Sequence, residues 1–324
     1  MKILVVGGAG YIGSHMVQML LRQGEDVVVL DDLSSGHLDA VLGGEFVQGS
    51  VGNDKLIDEI LSSSEFDTVM HFASFIQVGE SVKNPGAYYE NNVSNTITLL
   101  NAMARHGVHY FVFSSTAAIY GNPQYVPIDE SHPIFPINPY GRSKWIIEQL
   151  LPDYERAYGI HYASLRYFNA AGADPHGKIG ERHNPETHLI PLALRAAIGK
   201  LPHFTLFGED YPTPDGTCIR DYIHVVDLCS AHLLAIQHLR CGKPSNCFNL
   251  GNGDGYSVRQ VLDTVRDVTG NNFEIHVFPR RDGDPASLIA DASAAKRVLE
   301  WVPKYSALHK IVEHAYNWEM KKDC

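Results

Sequence analysis

The apolar run Ile3-Leu4-Val5-Val6 passes directly into Gly7-Gly8-Ala9-Gly10-Tyr11-Ile12-Gly13, and Ser14 to Leu21 follow with helical spacing. A strand, a glycine turn and a helix in immediate succession leave little freedom in how this segment folds. Glycine accepts the positive φ that a sharp turn demands, and it lacks the Cβ that would hold a helix away from its strand. The N-terminus of the helix then presents unpaired N–H groups and the positive end of its dipole, which suits a phosphate. The spacing Gly7, Gly10, Gly13 is close to the dinucleotide fingerprint G-x-G-x-x-G. A second apolar run, Val27 to Leu30, ends at Asp31-Asp32. An acidic residue about 20 positions past such a loop can bond the adenosine ribose hydroxyls. Residues 31–36 contain no Arg or Lys to meet a 2′-phosphate, so the expected cofactor is NAD rather than NADP.

Two more short runs, Thr68 to Phe72 and Phe111 to Phe113, are rich in β-branched and aromatic residues, as strands buried on both faces are. Between them Val93, Ile97, Leu100 and Ala104 recur at helical steps, closed by Gly107. Strand–helix alternation predicts α/β architecture with a doubly wound parallel sheet, Rossmann-type. The expected division is 1–167 for an NAD-binding domain. Residues 168–324 would form mainly a smaller α/β substrate-binding domain, with roughly 220–250 returning to pack on the first. Segments 172–188 and 208–219 read as long ordered loops, since apolar residues are interleaved with Gly, Pro and Asp.

Charge narrows the partners. Lys+Arg 26 against Asp+Glu 37 gives a net −11, which argues against nucleic acid. No apolar run of 18 residues spans a membrane. Five cysteines (218, 229, 241, 247, 324) with no C-x-x-C pair read as reduced thiols in a cytoplasmic protein. The 17 histidines show no H-E-x-x-H and no Cys/His pairing, so no metal site is expected.

Asn138-Pro139-Tyr140-Gly141-Arg142-Ser143-Lys144 contains Y-x-x-x-K, which places a phenol and an ammonium on one helix face. Chance supplies roughly half a pair of this kind in such a chain, so its place after the fourth strand carries the weight. A free phenol, with a pKa of about 10, is a poor base at neutral pH. A nearby ammonium and an oxidised nicotinamide would stabilise the phenolate. A hydroxyl partner is expected from Ser114-Ser115-Thr116. Arg220-Asp221 and Arg280-Arg281, taken alone, could equally be solvated surface charges.

The combination GGAGYIGS, Asp31-Asp32, FSSTAAIYG (113–121), NPYGRSK (138–144) and RYFNAAG (166–172) resembles the extended short-chain dehydrogenase/reductase family. FASFIQVGES (72–81), YYENN (88–92), DGTCIRDYIHVVDL (215–228), FNLGNGDGYSV (248–258) and RRDGDPASLIAD (280–291) are similar to its UDP-glucose 4-epimerase branch, over essentially the whole chain. The resemblance implies that NAD takes hydride from C4 of a UDP-hexose, the 4-keto sugar turns over, and hydride returns to the other face. It implies Tyr140 as the base, Lys144 as its pKa partner and Thr116 as the hydroxyl on O4. NAD would be held by Gly7, Gly10, Tyr11, Ile12, Gly13, Asp31, Asp32, Ser50, Val51, Phe72, Ala73, Asn91, Lys144 and Phe168. The UDP-hexose would be held by Asn169, Leu189, Phe207, Arg220, Arg281, Asp284 and Leu288, beside Thr116 and Tyr140. Ser50 stands where relatives often carry an adenine-contacting Asp. Leu288 stands at the sugar-pocket gate, intermediate between a Tyr that excludes N-acetyl groups and a Cys or Ser that admits them. UDP-N-acetylhexosamine or UDP-pentose activity therefore stays open, as does an NAD-sensing scaffold on the same fold. A 4,6-dehydratase lacks support, because Thr116-Ala117-Ala118 carries no acids. The resemblance also implies a homodimer, pairing helices near 86–106 and 141–158.

Overall fold

A computed structural model describes residues 2–281 and 283–321. The apolar runs form β1 (Lys2–Val6), β2 (Asp26–Asp31), β3 (Glu45–Gln48), β4 (Phe66–His71), β5 (Tyr110–Thr116) and β6 (His161–Tyr167). Four shorter strands follow: β7 (Asn169–Ala171), β8 (Phe204–Phe207), β9 (Ile219–Arg220) and β10 (Tyr222–His224). The next strand, β11 (Asn246–Leu250), returns to the first six. Together they make a seven-stranded sheet in the order β11-β6-β5-β4-β1-β2-β3, parallel at every junction. The strand order reverses at β1, so the crevice beyond the carboxyl ends of β1 and β4 is the natural ligand position.

Side chains alternate across each strand, and both sides are buried. Ile3 and Val5 join one core, while Leu4 and Val6 join the other. This is why the strands read as continuous apolar runs rather than alternating ones. The first core is sealed by α1 (Tyr11–Arg22) through Met16 and Leu20. The second is sealed by α2 (Asp54–Ser62), α5 (Asn95–His106) and α6 (Pro139–Tyr158), through Ile57, Leu100 and Ile147. Two short helices, α3 (Val78–Lys83) and α4 (Pro85–Tyr88), lead into α5. After α7 (Leu189–Ala197) comes α8 (Val225–Arg240), which lies on the first core with Leu228, Ala235 and Leu239. Both α8 and β11 therefore belong to the large sheet.

The remaining chain builds a second body. Its core unites Leu194 of α7, Leu206 of β8, Tyr222, Val261 and Val265 of α9 (Val258–Thr269) and Ile311 of α11 (Leu308–Lys321). Strand β12 (Tyr256–Ser257) pairs antiparallel with β9, and β13 (Ile275–Phe278) parallel with β8. Strand β14 (Ser287–Leu288) pairs parallel with β9 and precedes α10 (Ser293–Val298). None of the described helices is long and apolar enough to cross a membrane. Cys218, Cys229, Cys241 and Cys247 are free thiols, and Cys324 lies outside the described residues.

One expected helix is displaced. Residues 89–94 wind as a π-helical turn, and α5 begins only at Asn95. Within α5 the buried line runs through Thr96, Leu99, Leu100 and Met103, and Val93, Ile97 and Ala104 are half-buried. Gly107 closes α5 at φ +65°, in the left-handed region its position required.

Candidate active site

The glycine turn is close-packed on three sides and open on one. Gly7 takes φ +80°, and a Cβ there would stand 2.5 Å from the backbone N of Ala73, just past β4. A Cβ on Gly13 would meet the Gly7 carbonyl oxygen at 2.1 Å, so the first turn of α1 sits directly against the loop. Counted from Gly8 the segment also reads G-x-G-x-x-G, and a Cβ on Gly8 would strike Val29 Cγ1 at 2.7 Å. Gly10 differs: its nearest neighbour would be the Gly7 oxygen at 3.4 Å, an ordinary contact. Gly10 is also the N-cap of α1 and provides no side-chain cap. Open space and uncapped N–H groups at a helix N-terminus fit a pyrophosphate.

Asp31 ends β2 beneath this loop, where its carboxylate accepts from Ala9 N and Leu33 N, each at 2.9 Å. Burial raises its pKa, opposed by these two bonds. Two of about four acceptor positions are used, which leaves capacity for ribose hydroxyls. Asp32 is exposed and accepts from Ser34 N at 2.9 Å. The fold brings an arginine towards this region from far along the chain. That residue, Arg182, is held by Asp39 in a two-pronged ion pair, Nη1 to Oδ2 being 3.0 Å. Tyr11 Oη donates to the Gly172 carbonyl at 2.7 Å, tying the glycine turn to the loop after β7.

Around the rest of the crevice, Phe72 N donates to Val6 O at 2.8 Å, locking the end of β4 to β1. Ser50 lies exposed past β3 and accepts from Gly52 N at 3.2 Å, while Val51 is buried in the second core. Asn91 donates to Asn92 Oδ1 at 3.0 Å. It is the neighbour Asn92 that is fully buried, bonding Phe75 N (2.8 Å), Phe75 O (3.1 Å) and Ser143 Oγ (3.1 Å).

Helix α6 begins with Asn138 accepting from Gly141 N at 2.8 Å and with Pro139 at a position that has no intrahelical N–H bond to lose. A Cβ on Gly141 would lie 2.5 Å from the Ala118 carbonyl oxygen. That glycine therefore lets the first turn of α6 press on the end of β5. Tyr140 and Thr116 come together there, both more than nine-tenths buried. One turn on, Lys144 Nζ donates to Ser74 Oγ at 2.8 Å and to the Ser114 carbonyl at 2.7 Å. It also lies 4.8 Å from the centroid of the Phe113 ring.

The expected lowering of the phenol rests on Lys144 and an oxidised nicotinamide together. Burial pushes Tyr140 up to about 12, and the neighbouring Thr116 hydroxyl pulls against it. Burial pushes Lys144 itself down to about 7, opposed by Glu148. The lysine is engaged by neutral oxygens rather than aimed as a bare charge at the phenol.

Across the crevice, Arg220 of β9 ion-pairs with Asp284 through Nη2, and its Nη1 donates to the Ile219 carbonyl at 2.7 Å. Arg281 lies over the Phe207 ring, 4.1 Å from its centroid. Leu288 pairs in register with Arg220 and packs with Phe168 against Ala117, Ile119 and Tyr120, next to Thr116. The second body thus reaches the end of β5 through Leu288. Asn169 in β7 pairs with Tyr222 of β10, and Leu189 opens α7 half-buried in the second body's core.

Residues 3–251 match the model of the NAD dependent epimerase/dehydratase family. The chain belongs to this family. The chain is 55% identical over 318 residues to the UDP-glucose 4-epimerase of Halalkalibacterium halodurans, covering 98% of this chain and 95% of that protein. The crystal structure of the Brucella ovis UDP-glucose 4-epimerase in complex with NAD is similar at a TM-score of 0.95, with 47% identity and 97% of each chain covered. That of the Bifidobacterium longum enzyme in complex with NAD+ and UDP is similar at 0.94, with 36% identity, covering 100% of this chain and 99% of that one.

Beside the residues that mark the family, the fold recruits several that the sequence reading passed over. Glu148, four residues after Lys144, is paired with Arg166, Nη2 to Oε2 being 2.5 Å, with both side chains buried. Ser115 Oγ donates to the same carboxylate. Asp221 makes no pair with Arg220. Its carboxylate is buried and accepts from Asn252 N (2.7 Å), Gly253 N (2.9 Å) and Ala290 N (3.0 Å), stitching three segments of the crevice wall. Gly36 lies against Asp31, where a Cβ would be 2.8 Å from Oδ1. Finally, Glu181, His183, Glu186 and His188 converge beside Tyr11. Only their alternate placement along 181–188 could have signalled this.

Proposed function

We propose that this chain interconverts UDP-glucose and UDP-galactose by inverting C4, using NAD held on the glycine turn. The observation that carries the reading is the meeting of Tyr140, Thr116 and Lys144 at the end of β5, opposite the Arg220, Arg281 and Phe207 wall. The relatives' names support the choice of sugar nucleotide, and the absence of acids at Ala117 and Ala118 supports epimerisation over dehydration.

Gly10 and the uncapped start of α1 receive the pyrophosphate of NAD, and Asp31 receives the ribose hydroxyls. Bound NAD supplies a reversible hydride acceptor at the sugar C4 and, when oxidised, the additional positive charge that favours a Tyr140 phenolate. Tyr140 takes the O4 proton and later returns it, at the phenolic oxygen. Thr116 bonds the sugar O4 and fixes it beside the phenol. Lys144, anchored by Ser74 and the Ser114 carbonyl, positions the cofactor ribose and adds its charge when protonated. Arg220 and Arg281 hold the diphosphate with permanent charge and several donors each, and Asp284 orients Arg220. Gripping the nucleotide rather than the hexose leaves the sugar free to turn over between the two half-reactions. The same reading includes a cytoplasmic homodimer joined through α5 and α6, for which light scattering should show twice the chain mass. Purified protein incubated with UDP-galactose and NAD should yield UDP-glucose by a coupled dehydrogenase assay. No UDP-glucose from a protein that has bound NAD would overturn the reading.

A further inference from the structure

We propose that Glu181, His183, Glu186 and His188 form a binding site for one divalent first-row transition-metal ion, zinc above all, which clips the 172–188 loop to the glycine turn. Each residue turns one ligand atom inward, and the four atoms lie within 4.8 Å of one another. His183 Nδ1 is 3.1 Å from Glu181 Oε1 and 3.7 Å from Glu186 Oε1, while His188 Nδ1 is 3.9 Å from Glu186 Oε1 and also touches Glu181 Oε1. Tetrahedral bonds of about 2.1 Å place ligand atoms about 3.4 Å apart, inside this range. Two imidazole nitrogens and two carboxylate oxygens are a borderline donor set, suited to zinc and its neighbours rather than to magnesium or calcium.

The carboxylates are not ordinary surface acids. The Glu181 side chain is 5% exposed and that of Glu186 1%. Glu186 Oε2 is buried without a hydrogen-bond partner, 3.7 Å from Arg195. The two carboxylates face the His183 and His188 rings and Arg195, and matched to a dication they would leave the site neutral. His188 is 42% exposed at its side chain, which gives the ion a way in. The backbone around the site is held as well. Trp318 Nε1 donates to the Glu181 carbonyl at 2.9 Å, and Gly180 lies where any Cβ would strike the Trp318 ring. The His183 ring meets Tyr11 edge-on at 6.4 Å, and Tyr11 belongs to the glycine turn. An ion here steadies the cofactor end of the crevice without touching the reacting sugar.

The test uses tag-free enzyme, stripped with EDTA and dialysed into metal-free buffer, then equilibrated with Zn²⁺ and assayed by mass spectrometry. One zinc per chain should be retained, and Zn²⁺ should raise the thermal midpoint. The His183→Ala/His188→Ala double variant should retain none and show no midpoint shift. The His203→Ala/His276→Ala variant, which removes an imidazole pair stacked at 3.9 Å elsewhere, should still retain one. If the double variant fails to fold, His188→Gln alone should weaken retention at least tenfold. Co²⁺ should give the visible bands of a four-coordinate site. No retention by wild type, or retention that survives loss of both histidines, would overturn the proposal.

Discussion

Replacing Arg166 with Met removes one half of a buried ion pair while nearly keeping its volume. Glu148 would then sit with a side chain 1% exposed. Its remaining contacts would be the Ser115 hydroxyl and the weakly donating Cys247 thiol at 3.7 Å, with only the more distant charge of Lys144 to offset it. In the wild type, Arg166 Nε lies 3.1 and 3.0 Å from the two Glu148 oxygens, and Nη1 donates to Tyr120 Oη at 3.0 Å. Orphaning a charge this deeply costs about 3–5 kcal/mol. With an unfolding entropy of about 2.1 cal/mol/K per residue, 324 residues give about 0.7 kcal/mol/K, so the melting midpoint should fall by about 4–7 °C. The double variant Glu148→Leu/Arg166→Met removes both charges and should lose only about 0–2 kcal/mol. Ser115 loses its acceptor, but Tyr120 still donates to Asn249 at 2.7 Å. Urea unfolding of wild type, both single variants and the double, at one saturating NAD concentration, gives the coupling energy, expected at about 2–3 kcal/mol or more. Additive single losses, or an Arg166→Met loss below about 1 kcal/mol, would refute the reasoning that this pair is a mutual necessity.

Gly10→Ala should keep stability within about 1 kcal/mol yet weaken NAD binding by tenfold or more, whereas Gly13→Ala should lose about 2 kcal/mol or more as well, read by urea midpoints and NAD titration. Arg220→Met should raise KM for UDP-galactose at least tenfold with NAD affinity unchanged, measured by steady-state kinetics and calorimetry. Burial holds folded Lys144 down to about 7, so from about pH 7 to 10 the unfolded chain binds a proton that the folded chain does not, and stability rises with pH over that window. Between pH 7.5 and 9.5 this contributes about 2 kcal/mol, and Lys144→Met should remove that slope from urea midpoints taken without added NAD. Leu288→Tyr should lower turnover of UDP-N-acetylglucosamine relative to UDP-galactose in a side-by-side assay, because it fills the wall beside Thr116.

What could be read from the letters is what local geometry dictates. Gly7 and Gly13 are forced by a turn and a helix that touch within seven residues, and Tyr140 and Lys144 share a face because they are one turn apart. Runs such as Ile3 to Val6 announce a sheet covered on both faces. The rest depends on neighbours distant in sequence. Arg166 meets Glu148 only once β6 lies beside α6, and Asp221 finds its three donors only when residues 252, 253 and 290 are folded around it. The burial of Tyr140, which raises its pKa, is likewise a property of the packed crevice, while helical spacing shows only that a lysine is near. The π-helical turn at 89–94 is another feature that no periodicity marks.

The sharpest probe of the account is the turnover of Tyr140→Phe, which deletes one oxygen from the reacting pair and leaves the buried ring in place. With UDP-galactose as substrate and NAD titrated in parallel, kcat should fall by about a thousandfold while NAD affinity stays within about twofold. A variant that epimerises within tenfold of the wild-type rate, with its NAD bound, would take the proton transfer away from Tyr140 and contradict the mechanism.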